Sequence, residues 1–232
     1  MLQAKAIHQY YGGSHILRDV SLRLEQGECL ALLGRNGVGK TTLLKCLMGV
    51  VPVASGSIEL DRSPVTRMPP HQRAALGMAY VPQGRDIFSR LTVEENILMG
   101  LASKPAARAR RIKQEIFDLF PVLETMLARR GGDLSGGQQQ QLAIARALVA
   151  EPRYILFDEP TEGIQPSIIK DIGKVIRLLR ERGDIGILLC EQYFDFAREL
   201  ADRFIVLSRG EVVSTGDKTQ IDGDDVRRHL SA

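Results

Sequence analysis

Gly34-Arg-Asn-Gly-Val-Gly39-Lys40-Thr41 decides the reading of this chain. The stretch satisfies G-x-x-x-x-G-K-[ST] at every fixed position. It stands between an apolar run, Glu28–Leu33, and a segment, Lys40–Met48, that reads as a helix closed by Gly49. Glycines in such a loop let backbone N–H groups turn inward around phosphate oxygens, and the helix N-terminus adds positive potential there. Lys40 is expected to reach the β- and γ-phosphates of a nucleotide, and the Thr41 hydroxyl to ligate Mg²⁺. Gly34, Arg35, Asn36, Gly37, Val38, Gly39, Lys40, Thr41 and the following Thr42 are therefore candidate nucleotide-binding residues. The competing reading, a glycine-rich turn with a solvated lysine, does not account for the intact spacing between strand and helix.

Two further stretches extend that reading. Tyr154-Ile-Leu-Phe-Asp158-Glu159 reads as a buried strand that delivers carboxylates at its C-terminal edge, where α/β sheets place their ligands. Asp158 is expected to hold Mg²⁺ and Glu159 to activate the attacking water. A strand ending in acid is weak on its own; beside a phosphate loop it points to hydrolysis. Leu134-Ser-Gly-Gly-Gln138 opens a helix and forms a second anion-ready N-terminus, with Ser135, Gly137 and Gln138 as candidate phosphate ligands. One γ-phosphate cannot need two such cradles from one subunit. A site shared between two chains explains the duplication, against the plainer reading of a Ser-Gly-Gly turn that only caps a helix.

The rest of the chain alternates. Asp19–Glu25 follows period two, Ser57–Leu60 and Met78–Val81 read as strands, and a polar loop runs through Pro70. From Gly84 to Asp133 the character changes. Thr92-Val-Glu-Glu95 is a capping box opening a helix through Leu101, a basic linker follows (Lys104, Arg108, Arg110, Arg111, Lys113), and a second amphipathic helix ends at Pro121. Beyond it come a helix over Gly136–Ala150, a helix marked by Ile168, Ile169, Ile172, Val175, Ile176 and Leu179 and stopped by Gly183, a strand at Ile185–Leu189 and a hairpin around Arg209-Gly210. The expected fold is α/β: a mostly parallel sheet core with the N-terminal hairpins as an antiparallel β edge and an inserted helical subdomain. The 1–232 chain is read as one domain, its core formed by 1–83 and 134–232 and its helical subdomain by about 84–133.

Composition is ordinary for a globular protein, with 44% hydrophobic and 25% charged residues among 232, which excludes disorder and collagen-like repeats. A net charge of +3 neither demands nor forbids a nucleic-acid partner. Cys29, Cys46 and Cys190 lack metal or disulfide spacing and read as buried thiols of a reducing compartment. No apolar run approaches the roughly 18 residues that span a bilayer. The start, Met1-Leu-Gln-Ala-Lys-Ala, does not have the form of a signal peptide, so a cytosolic chain is expected.

Taken together, Gly34–Thr41, Gln83, Leu134–Gln138 and Tyr154–Glu159 resemble the motif set of ABC-transporter ATPase subunits over nearly the whole chain. That resemblance implies a P-loop NTPase of the ABC-ATPase type that uses ATP and Mg²⁺. It implies that Tyr11 stacks on adenine, and that Gln83 joins the metal site and senses a membrane partner. It also implies a second ABC ATPase chain (identical or different), transmembrane permease subunits, an external substrate-binding protein, no nucleic acid, and a place on the inner face of the cell membrane. Within Gly84–Leu91, the region that the resemblance assigns to a groove for a short permease helix, Phe88 is either an anchor for that helix or a core residue.

Three positions depart from the family pattern: Gln165 where aspartate is common, Gln141 where arginine is common, and Gln192 where a histidine usually contacts the γ-phosphate. An amide at Gln192 still donates a hydrogen bond to phosphate but takes no proton, leaving Glu159, Lys40 and Gln192 as the catalytic set. These departures resemble the branched-chain amino-acid uptake branch and, within it, the ATP-binding subunits of bacterial urea importers. The readings carried forward are an importer ATPase for urea, one for branched-chain amino acids, and a slow nucleotide-gated module. Soluble ABC proteins of DNA repair or translation carry two cassettes or long coiled-coil inserts, which this chain has no room for.

Overall fold

The computed structural model describes residues 1–103, 111–223, 226, 228 and 229. Strands β1 (Leu2–Tyr11) and β2 (Ser14–Leu24) form the first hairpin, followed by β3 (Cys29–Leu33) and helix α1 (Lys40–Met48). Then come β4 (Ser55–Leu60), β5 (Ser63–Pro64), α2 (Pro70–Ala75) and β6 (Met78–Val81). Helices α3 (Val93–Met99), α4 (Gln114–Leu119), α5 (Pro121–Glu124) and α6 (Gly136–Leu148) precede β7 (Tyr154–Asp158). Helix α7 (Pro166–Arg182), β8 (Gly186–Glu191), α8 (Phe194–Leu200), β9 (Arg203–Ser208) and β10 (Glu211–Asp217) follow.

Two sheets result. Six strands in the order β10-β9-β3-β8-β7-β6 form a sheet that is parallel except for β10. Every residue of β3, β7 and β8 is buried, as the unbroken apolar runs in those segments require of strands covered on both faces. The expected α/β architecture is therefore present. Its antiparallel N-terminal strands are not joined to that sheet but form one of their own, ordered β2-β1-β4-β5. The parallel sheet takes its antiparallel edge from the β9–β10 hairpin instead.

β2 buries Val20, Leu22 and Leu24 on one face, matching its period-two pattern. β1 has no such pattern, because a register irregularity between Ala4 and Ile7 moves its buried face from even to odd positions. The capping box at Thr92 is formed, but α3 stops at Met99 and tightens into a 3₁₀ turn, Gly100–Ser103. Pro121 does not end the second amphipathic helix. That helix, α4, stops at Leu119, and Pro121 opens α5 at a position where a missing N–H costs nothing. Lys104, Arg108 and Arg110 of the basic linker lie outside the described residues. Lys113 pairs with Glu151 at 2.7 Å. After Asp217, Ile221 and Val226 bury themselves beside Ala197, Ala201 and Phe204.

Arg73, at 1% exposure, lies on α2, a helix that the sequence reading did not mark. Its guanidinium donates to the Cys46 and Leu47 carbonyls at the end of α1 and to those of Thr66 and Met68. Carbonyls in the last turn of a helix have no partner within it, so this buried arginine satisfies the C-terminus of the helix that begins at Lys40. The three cysteines are buried and unpaired, and burial pushes each thiol well above its usual range, Cys46 to about 11.

Candidate nucleotide site

Four parallel strands end side by side. The register sets Val81 beside Phe157, Asp158 beside Cys190 and Leu33 beside Glu191. The Gly34 loop, Gln83, Asp158, Glu159 and Gln192 all issue from this C-terminal edge, which is where open α/β sheets receive ligands.

The Gly34 loop is shaped by its packing. Gly34 has φ 153°, and a Cβ there would lie 2.5 Å from the Leu207 carbonyl oxygen, so no side chain fits. Lys40 begins α1, 4% exposed. Its ammonium donates to the Gly34 carbonyl at 2.7 Å and the Arg35 carbonyl at 3.1 Å, and pairs with Glu159 Oε1 at 2.9 Å. Three donors thus have three acceptors. Glu159 takes φ 48°, unusual for a side chain with a Cβ, and its N–H donates to the Cys190 carbonyl. The turn this creates aims Glu159 back at Lys40.

Asp158 is fully buried beneath that pair. The Thr41 hydroxyl donates to its Oδ1 at 3.0 Å and the Tyr80 hydroxyl to its Oδ2 at 2.8 Å. Burial, and then the neighbouring Asp158 charge, push the Tyr80 phenol far above its ordinary range, so it stays a donor. Tyr80 was not singled out by sequence; nothing local marks it, since its partner lies far along the chain on the neighbouring strand β7.

A cavity of about 400 Å³ opens above these groups, and its walls include Tyr11, Asn36, Gly37, Gly39, Lys40, Thr41, Thr42, Gln83 and Glu159. Tyr11 stands at the end of β1, half exposed, as a flat apolar ring at the cavity's mouth. Gln83 donates from Nε2 to Glu162 Oε2 at 2.9 Å. Arg35 is exposed on the loop, and Val38 packs its side chain against Gly34. Among the described residues no three His, Cys, Asp or Glu side chains gather as a metal cage. The oxygens of Thr41, Asp158 and Gln83 are the hard donors that suit Mg²⁺, an ion held by one or two carboxylates together with substrate phosphates.

Ser135, Gly137 and Gln138 do not line this cavity. Ser135 caps α6: its hydroxyl accepts from the Gln138 N–H at 3.3 Å, and Gln138 Oε1 accepts from the Ser135 N–H at 2.9 Å. Gly137 is also a packing residue, because a Cβ there would meet Ile168 at 2.8 Å. Gln192 lies exposed just past β8. Beneath it, at 1% exposure, is Glu191, another residue that sequence reading passed over.

Phe88 is not core. It is 44% exposed, with the Arg146 guanidinium 5.3 Å from its ring centre. Its loop is pinned by buried Asn96, which accepts from the Phe88 N–H and donates to the carbonyls of Phe88, Leu91 and Thr92. Phe88, Tyr80, Met99 and Arg146 border a second cavity of about 350 Å³ on this side of the molecule.

Comparison with known proteins agrees with this geometry. The sequence profile described as ABC transporter matches residues 17–162, which hold the phosphate loop, the Ser135 turn and the Asp158–Glu159 pair. The chain belongs to the ABC transporter family. It is an ATP-binding subunit of that family, an ATPase whose relatives couple hydrolysis to transport. It is 41% identical over 213 residues to the high-affinity branched-chain amino acid transport ATP-binding protein BraG of Pseudomonas aeruginosa, covering 92% of this chain and 91% of that one. It is 35% identical to the lipopolysaccharide export system ATP-binding protein LptB of Escherichia coli, with 95% and 92% covered. Among solved structures, a dimeric post-hydrolysis ATP-binding cassette bound to ADP and phosphate superposes with a TM-score of 0.84 at 26% identity, over 94% of this chain and 99% of that one. No helix among the described residues of this ABC cassette is long and apolar enough to cross a membrane.

Proposed function

We propose that this chain is the ATPase subunit of an ABC importer of the branched-chain amino-acid type. The observation that carries the proposal is the likeness to BraG along nearly the full length of both chains. The BraG likeness supports the amino-acid reading better than the urea one. In this proposal the cassette works as a pair on the inner face of the membrane, with residues 84–133 as a helical subdomain facing two permease subunits, and with an external binding protein delivering the substrate. Exposed Phe88, beside a cavity that opens between α3, α6 and β6, supports a helix-in-groove contact with the permease.

At the site, the N–H groups of Gly34–Thr42 and the Lys40 ammonium hold the triphosphate of ATP, with Tyr11 stacked on the base. Thr41, Asp158 and Gln83 would hold Mg²⁺, which when bound offsets the phosphate charge. Glu159 accepts the proton of the attacking water once Lys40 turns to phosphate, and Gln192 donates a hydrogen bond to the γ-phosphate. Ser135, Gly137 and Gln138 serve the partner's nucleotide, at the positive end of α6. Reconstitution with the permease and binding protein that co-purify with the chain tests the assignment: ATP-driven leucine uptake is expected. Uptake of urea, or assembly with an outward-directed lipid exporter, would overturn it.

A further inference from the structure

We propose that Glu191 is a positioning residue of the hydrolytic site: its buried carboxylate clamps the backbone at Gln192 to the segment that follows Glu159. The inference rests on Gln192 acting at the γ-phosphate, as proposed above. Glu191 ends β8, and both its oxygens are occupied by donors alone. Oε1 accepts from the Thr161 N–H at 3.2 Å and the Thr161 hydroxyl at 2.9 Å. Oε2 accepts from the N–H groups of Gln192 at 3.2 Å and Tyr193 at 3.3 Å. Only an ionised carboxylate accepts on both sides; an amide would turn its own NH₂ toward two backbone N–H groups, at Thr161 or at residues 192 and 193.

The clamp joins parts that have to keep register during hydrolysis. Thr161 stands two residues beyond Glu159, and the next residue, Glu162, accepts from Gln83. Glu191 thus connects the turn carrying Gln192, the turn carrying Glu159 and, one residue further, the loop carrying Gln83. Burial pushes the Glu191 acid up to about 7, with Glu159 adding to the rise against the hydrogen bonds that lower it. The chain therefore bears a stability cost at this position, and what the position delivers is geometry.

The test is a double-mutant cycle on Mg·ATP turnover with Glu191→Gln, Glu191→Asp, Gln192→Ala and the E191Q/Q192A pair. Misaiming rather than deleting a donor to the reacting group should lower kcat about tenfold to a hundredfold in E191Q with KM near wild type. E191D, which keeps both acceptors, should recover part of the loss, and E191Q should cost nothing further in the Q192A background. Equal losses in both backgrounds, or wild-type kcat in E191Q, would overturn the clamp. If E191Q does not fold, Thr161→Val, which removes one of the four donors, goes through the same cycle with the same criterion. Wild-type turnover in Q192A would overturn the role given to Gln192. The clamp is also read without turnover: amide exchange at residues 192 and 193 should be faster in E191Q than in E191D, and unchanged exchange overturns it.

Discussion

The Lys40 ammonium lies 2.9 Å from the Glu159 carboxylate, with the two side chains 3% and 8% exposed. The two residues proposed to handle the nucleotide are thus paired with each other. Removing one member of a buried ion pair leaves the other uncompensated, at about 3–5 kcal/mol. Lys40→Ala should therefore melt well below wild type, and Lys40→Ala with Glu159→Gln should recover much of the loss despite carrying more changes. Thermal melts of the three proteins without nucleotide decide this. Glu159→Gln alone should keep ATP binding while phosphate release falls about 10²–10⁴-fold, the usual effect of losing a general base.

Tyr80→Phe removes the donor to Asp158 Oδ2 and nothing else. A hydrogen bond to a charged group contributes about 1.5–3 kcal/mol, so a modest drop in stability is expected. The more telling effect is on metal use. With one oxygen no longer held, Asp158 should be less well aimed, and half-maximal turnover should need more Mg²⁺ while the affinity for metal-free ATP stays put. An unchanged Mg²⁺ titration would separate Tyr80 from the proposed metal site.

For Arg73, the readout is stability. Arg73→Leu would orphan the carbonyls of Cys46, Leu47, Thr66 and Met68 together, a loss of about 3 kcal/mol or more. Lysine cannot reproduce the fork, so Arg73→Lys should recover only part. Chemical denaturation measures both, and a Lys variant as stable as wild type would show that charge alone suffices.

Phe88→Ala should spare basal phosphate release and melting temperature, because the ring is 44% exposed, and should reduce permease-coupled uptake. A fall in melting temperature comparable to a core truncation would assign Phe88 a structural role after all.

Glu191 gives the protein a pH dependence with opposite signs for stability and turnover. Burial, and to a smaller extent the neighbouring Glu159 charge, favour its protonated form and push the acid up to about 7 from an ordinary 4.5. The stability this contributes is full below about 4.5 and is lost as pH rises through about 7. Turnover should move the other way, rising through the same interval as the carboxylate becomes able to accept all four donors. In Glu191→Gln both slopes should flatten; a wild-type pH profile in that variant would detach the titration from Glu191.

What sequence disclosed of the site was its local part. Gly34–Thr41 and Asp158–Glu159 are contiguous motifs whose chemistry depends on neighbours in the chain, and the structure brings them to one cavity. Tyr80, Arg73, Asn96 and Glu191 act through contacts with distant segments: Tyr80 reaches Asp158 and Arg73 reaches Cys46. A tyrosine in a strand and an arginine in a short helix carry no mark of such partners. The fold was legible for a similar reason, since buried parallel strands write themselves as apolar runs. β1 was not, because its irregular register erased the period. Ser135 and Gly137 show the limit from the other side: within one chain their geometry is fully explained by capping and packing.

Tyr11 belongs to the antiparallel sheet and the Gly34 loop to the parallel one, so in the proposed roles base and triphosphate would be recognised from two different sheets. A nucleotide bound in that way would be a strut between the two sheets, which Arg18 N–H, donating to the Gly210 carbonyl, already ties at one point. Nucleobase preference would also be free to drift, by exchange at the tip of one hairpin, without disturbing the machinery that cleaves the phosphate.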